Sequence, residues 1–354
     1  MNLYSPIHHG TGLPNLVALT SKAESYGMQS LIITIILSIV LCFSARSSAE
    51  LRRDYYKTGR VSSEADIVDG KKKSEIQYYE NGLFKSRCSY QNGQLDGIAQ
   101  EYYEIGSTKT LTMYKKGLID GLAKTFYESG KLKSETPYAN NLIEGTAKTY
   151  YPSGRLETEH GYIDNMLDGP ARSYYESGRL KYDCMYRTGV KVGLCKTYYE
   201  SGNLLKEESW LAGKQNGPTR EFYESGSVKT NQTYHDDLLE GKSTIYSPSG
   251  NVQTEYTYNN GVQNGDLKTF YESGNLKSHY IYISGSWNGA GREYYESGNL
   301  KYEAQGRSGK PDGMTYTYYE NGKVLHQDSY EYGRLMLRKT FDPTGNILKQ
   351  EKTP

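Results

Sequence analysis

After residue 43 the chain has no aliphatic run long enough to fill the centre of a globule, and mean hydropathy is −0.76, so a thick hydrophobic core is excluded. Neither sign of charge is in excess: 42 Lys and Arg stand against 41 Asp and Glu, a net of +1, with both signs interleaved. A protein that neutralises phosphates needs a cationic surplus, so nucleic acid is excluded as a partner. Histidine is scarce. Of His8, His9, His160, His235, His279 and His326, none in the repeated part of the chain lies at metal-ligand spacing from a cysteine or another histidine, which speaks against zinc. No histidine recurs in step with a serine, so a nucleophile and its base are missing too. These absences predict a non-enzymatic chain with no catalytic residue, no metal, no cofactor and no small-molecule substrate.

Low hydropathy is also the mark of disorder, but disordered chains are poor in aromatics. This one carries 37 Tyr and 38 Gly in 354 residues, distributed evenly, and is therefore read as folded.

The N-terminus is a separate object. No charged residue occurs between Glu24 and Arg46, and residues 31–43, LIITIILSIVLCF, form a thirteen-residue apolar segment unlike anything later. That length is short for a bilayer span and typical of the apolar region of an export signal. Ser47 and Ala49 stand three and one before Glu50, which fits cleavage after Ala49. The arginines at 46, 52 and 53 would instead retain an uncleaved segment as a membrane anchor. Two regions are expected: residues 1–49 as signal or anchor, and residues 50–354 as the functional part.

The rest is one phrase repeated. The glycine after YES, YEN and their variants falls at Gly59, Gly82, Gly106, Gly130, Gly154, Gly178, Gly202, Gly226, Gly250, Gly274, Gly298, Gly322 and Gly345; ten of the twelve spacings are 24 and the two outer ones are 23. Eight residues on comes an aromatic, for example Tyr138, Tyr162 or Trp210, with Gly306 the exception. A second turn rich in Asn, Asp and Gly follows, such as NNLIEG at 140–145. Two turns per 24 residues leave two strand-sized segments.

Alternation supports strands. Leu132, Ser134, Thr136 and Tyr138 share one parity and Lys131, Lys133 and Glu135 the other, giving an apolar and a charged face. Centring the hairpin on the internal turn sets Leu132 opposite Tyr151 and Tyr138 opposite Gly145. The same register sets Cys184 opposite Cys195, the one such pair in the chain, so a cross-hairpin disulfide is expected if the chain is exported, with Cys88 left without a partner. In a reducing compartment the same residues would be small free thiols in the sheet.

The glutamates of the ESG turns, such as Glu128 and Glu176, could be imagined as cation ligands, but the turn reading is preferred because YYPSG and YSPSG replace them. NQT at 231–233 is a glycosylation sequon.

The phrase YYESGNLK, followed by Tyr, NG, DG and a second tyrosine pair, resembles the MORN-repeat variant family, the hairpin repeats of YwqK-type antitoxins, over residues 55–348. The resemblance implies an all-β fold: an elongated, single-layer antiparallel meander of stacked β-hairpins, about 12 repeats of 24 residues, used as an interaction surface. At about 10 Å per two-stranded unit the ribbon would reach on the order of 120 Å.

The sharpest candidate surface is a stripe of rings on the charged parity: Phe126, Tyr150, Tyr174, Tyr198, Phe222, Phe270, Tyr294 and Tyr318. Such a stripe suits contact with other proteins, cell-surface glycan or membrane headgroups, though the same rings could simply cover the second face of the sheet. The leading expectation is an exported, envelope-associated interaction or scaffold protein. The alternative is a YwqK-type antitoxin that neutralises a toxin by direct binding.

Overall fold

The computed structural model describes residues 48–352; the expected signal or anchor, with its apolar segment at 31–43 and with Cys42, lies outside them. The described chain is all β, in 31 strand segments from Ala49–Tyr55 to Ile347–Lys352. Five are two-residue pieces, such as Leu142–Ile143, that continue into the next segment past one residue. Successive full strands pair antiparallel, each two-residue piece pairs with the strand before it, and substantial contacts are confined to these neighbours. The first strand pairs only with Val61–Val68 and the last only with Arg334–Phe341 among the described residues, so the sheet is open.

Two kinds of turn alternate along the chain. At the ESG phrase, Gly130 N–H donates to Tyr127 O and Tyr127 N–H to Lys131 O, both at 2.8 Å, a three-residue loop ending in a glycine at φ +83°. That is the type I turn with a left-handed bulge residue that three-residue hairpin loops favour. At the internal turn both central residues have positive φ, +50° at Asn140 and +68° at Asn141, the two-residue turn whose twist matches the strands. The Asn, Asp and Gly enrichment there is thus a direct requirement of the backbone.

The register differs from the expectation in one respect. Ser134 faces Thr149 and Glu135 faces Lys148, as expected, but nearer the two-residue turn Tyr138 faces Ile143 and not Gly145. The cause is Gly145 itself: at φ +106° it bulges out of its own hairpin and pairs instead with Tyr162 of the next unit. Tyr138 likewise meets Gly121 of the preceding unit. The ring-over-glycine contact exists, but it joins units and does not close a hairpin.

The missing aromatic at Gly306 has a local explanation. A Cβ there would lie 2.3 Å from ring atoms of Trp287, so the indole fills the space that a tyrosine occupies elsewhere. Trp287 also packs edge-on against Tyr280, with centroids 5.3 Å apart. Only twelve described residues other than glycine are buried, mostly small ones such as Ala171, Cys195, Thr219 and Thr315 on the face that carries the internal aromatics. Small residues there leave room for the rings beside them, and the tyrosines take the place of an aliphatic core.

Candidate functional site

The face opposite those small residues offers the most varied chemistry, in three lanes. Along its middle, Lys124, Glu135, Lys148, Glu159, Arg172, Asp183, Lys196, Glu207 and Arg220 stand directly opposite one another on successive strands, acid and base alternating without a break. Lys124 reaches Glu135 at 2.7 Å, and Arg172 holds both Glu159 at 3.3 Å and Asp183 at 3.0 Å. Hydrogen bonding from Lys124 lowers the Glu135 pKa below the ordinary carboxylate value. Glu159 is lowered first by the Tyr174 hydroxyl and then by Arg172. A one-residue slip would set Glu135 opposite Ala147 or Thr149 and turn the charges to the other face, so the ladder selects the pairing as well as contributing to it.

Beside the ladder, towards the ESG turns, lies the aromatic lane. All eight expected stripe residues, Phe126, Tyr150, Tyr174, Tyr198, Phe222, Phe270, Tyr294 and Tyr318, are half-buried there. Each pairs with an aliphatic residue of the next unit, as Tyr150 does with Leu156 and Phe222 with Val228. Three hydroxyls are engaged within the sheet: Tyr150 donates to Glu135 at 3.1 Å, Tyr174 to Glu159 at 2.8 Å and Tyr318 to Glu303 at 2.6 Å. Burial, then the adjacent carboxylate, raises the pKa of all three.

On the other side, towards the internal turns, lies a lane that sequence reasoning did not single out. Leu118, Leu142, Met166, Val190, Leu238 and Val262 each follow an internal turn and are 39–48 % exposed. Met166 pairs with Ile163, and Ile98 with Met113, all exposed. The signal was present in the aliphatic residue directly after the turn in these six units, four of them consecutive, with Lys214 interrupting before Leu238.

Cys184 and Cys195 come together across their hairpin with Cα atoms 4.3 Å apart, each side chain 1 % exposed. Cys88, at the equivalent of Cys184, is partly exposed. The turn glutamates are exposed, and main-chain carbonyls among them are used: Arg155 of the preceding unit donates to Glu176 O at 2.7 Å and Asn203 to Glu224 O at 2.7 Å, while the Glu272 carboxylate also accepts from the Ser249 hydroxyl. Asn231 of the sequon stands in mid-strand opposite Arg220 and Thr244. His279 binds Asp266 at 2.7 Å, and burial lowers the His160 pKa. No group of His, Cys, Asp and Glu among the described residues could hold a metal ion.

The MORN repeat variant model matches nine times, at residues 119–140, 143–164, 167–187, 191–211, 215–236, 239–260, 263–283, 287–306 and 311–332, more than half of the chain; the chain belongs to that family. This makes it a repeat scaffold or interaction protein. A comparison with curated proteins found no match. Among solved structures, the chain is similar to a TcdB2-TccC3 crystal structure without its hypervariable C-terminal region, at 12 % identity and a TM-score of 0.18, covering 90 % of this chain and 19 % of that one. A TcdB2-TccC3-Cdc42 structure matches at 12 % identity and a TM-score of 0.15, covering 89 % and 19 %. The chain thus spans about a fifth of the length of the solved chains it matches.

Proposed function

We propose that the chain is a non-enzymatic scaffold, exported and held at or beyond the membrane, that binds partner proteins along the laned face. The observation that carries this reading is the exposed aliphatic lane running beside an internally neutralised charge ladder. Apolar side chains left in water at regular intervals gain by being covered, at about 25 cal/mol per Å² of apolar surface removed from water. The ladder contributes orientation more than affinity, because its charges are already paired. Export rests on the apolar segment at 31–43, and it makes oxidation of Cys184 and Cys195 to a disulfide the expected state.

Capture with the tagged full chain tests the binding reading. Partner recovery is expected to fall stepwise as Leu118→Ser, Leu142→Ser and Met166→Ser are combined, and unchanged recovery from the triple variant would refute a role for this lane. Fractionation tests the compartment. A mature N-terminus at Glu50 outside the cytoplasm is the expected result; an intact soluble cytosolic chain that neutralises a toxin would favour the antitoxin alternative.

A further inference from the structure

The first and last described strands fall at complementary points of the repeat. The first strand, Ala49–Tyr55, runs into the turn at Gly59 and so corresponds to the second strand of a unit; the last, Ile347–Lys352, leaves the turn at Gly345 and corresponds to the first strand of a unit. Every residue of both is exposed, and each strand pairs on one side only among the described residues. Placed end to end, two copies would continue the sequence of strand types without a change of phase.

Repeat position fixes the register of such a junction. Lys349, Gln350 and Glu351 occupy the places of Ser134, Glu135 and Thr136, and Asp54, Arg53 and Arg52 those of Thr149, Lys148 and Ala147. Within the Gly130 unit Ser134 faces Thr149 and Glu135 faces Lys148. The same pairing between copies sets Lys349 opposite Asp54, Gln350 opposite Arg53 and Glu351 opposite Arg52. Both charged pairs are of opposite sign and fall on one face. Charged edge strands ordinarily discourage edge pairing, and here the charges that repel other strands match this one.

We infer that the chain self-associates head to tail, the last strand of one copy pairing antiparallel with the first strand of the next. The junction completes a two-stranded unit that lacks only its turn. In the single chain Lys349 pairs with Glu351 and Asp54 accepts from Ser63 at 2.7 Å, contacts within or behind the end strands, whose outer sides pair with no strand among the described residues. Because the contact joins unlike ends it does not close on itself, and it extends into a filament as concentration rises.

Sedimentation velocity on the full chain, in a non-ionic detergent that keeps residues 31–43 dispersed, reads the association directly. The wild-type chain is expected to form larger species with increasing concentration. Lys349→Glu with Glu351→Lys, or Arg52→Glu with Asp54→Lys, is expected to weaken this about tenfold or more, since attraction becomes repulsion at two cross-strand pairs. An equimolar mixture of the two double variants restores the opposite-sign pairs and is expected to recover wild-type association. A monomeric wild type, variants that associate as the wild type does, or a mixture that fails to recover while circular dichroism shows both variants folded would each overturn the proposal.

Discussion

The phenol of Tyr127 donates to the main-chain carbonyl of Tyr150 at 2.7 Å, tying one unit to the next across 23 residues. The same bond recurs from Tyr103 to Phe126, Tyr151 to Tyr174 and Tyr175 to Tyr198, with the series interrupted at Ser247, whose hydroxyl turns to Ser249. In each case the receiving carbonyl sits where the strand leaves register at a bulge, so the phenol supplies a partner that the ladder does not.

Tyr151→Phe removes one such tie and leaves the Tyr174 carbonyl without its donor. The expected cost is about 1 kcal/mol, and Tyr175→Phe adds a similar amount because the units meet only as neighbours. Tyr198→Phe removes a hydroxyl that has no hydrogen-bond partner among the described residues and is expected to be close to neutral. Urea denaturation of the three variants checks the contrast.

Trp287 and Gly306 form a matched exception to the repeat. Gly306→Tyr forces a ring into space held by the indole and should cost about 1–3 kcal/mol. Trp287→Leu opens a gap and should cost about 1–2 kcal/mol, discounted because Trp287 is only half-buried. The double variant restores the common arrangement and is expected to be more stable than the sum of the single losses implies, a coupling that a double-mutant cycle measures.

The acid ladder predicts a pH dependence with a definite sign. Glu135 and Glu159 have folded pKa values lowered from 4.5, so the unfolded chain binds protons first. Their contribution is fully present above pH 4.5 and is lost as pH falls through the lowered folded values. Thermal unfolding followed from pH 7 downwards should show this loss, and Glu135→Gln with Glu159→Gln should flatten the curve below 4.5 while lowering stability at neutral pH. The tyrosines act at the other end: burial pushes Tyr302 up to about 12, so ultraviolet titration should find phenols that ionise well after exposed ones.

Thiol labelling under denaturing, non-reducing conditions addresses the cysteines. The chain recovered from outside the cytoplasm should label at Cys88 and not at Cys184 or Cys195, and reduction should release both. Cys184→Ser is expected to lose the brace across an eleven-residue separation, a cost of about 2–3 kcal/mol.

Period, turns and strand alternation were legible in the sequence because each is local: positive-φ residues and a side-chain parity of two announce themselves within a few positions. The exchange of partners at Gly145 was not, since a bulge changes which strand a residue faces without changing its parity. The filled space at Gly306 depends on a residue nineteen positions earlier that looks ordinary by itself. The aromatic lane was found by its composition, whereas the aliphatic lane required knowing which side of each internal turn stays uncovered.

Removing residues 131–154 takes out one complete period and joins Gly130 to Arg155 in phase, whereas removing residues 131–142 takes out half a period and brings unlike strands together. Cooperative thermal unfolding, followed by circular dichroism, tests the in-step stack most directly. The full-period deletion is expected to retain a β spectrum and a single transition at modestly lower temperature, and the half-period deletion to lose both. Equal tolerance of the two deletions, or collapse of both, would contradict a sheet built from interchangeable units that touch only their neighbours.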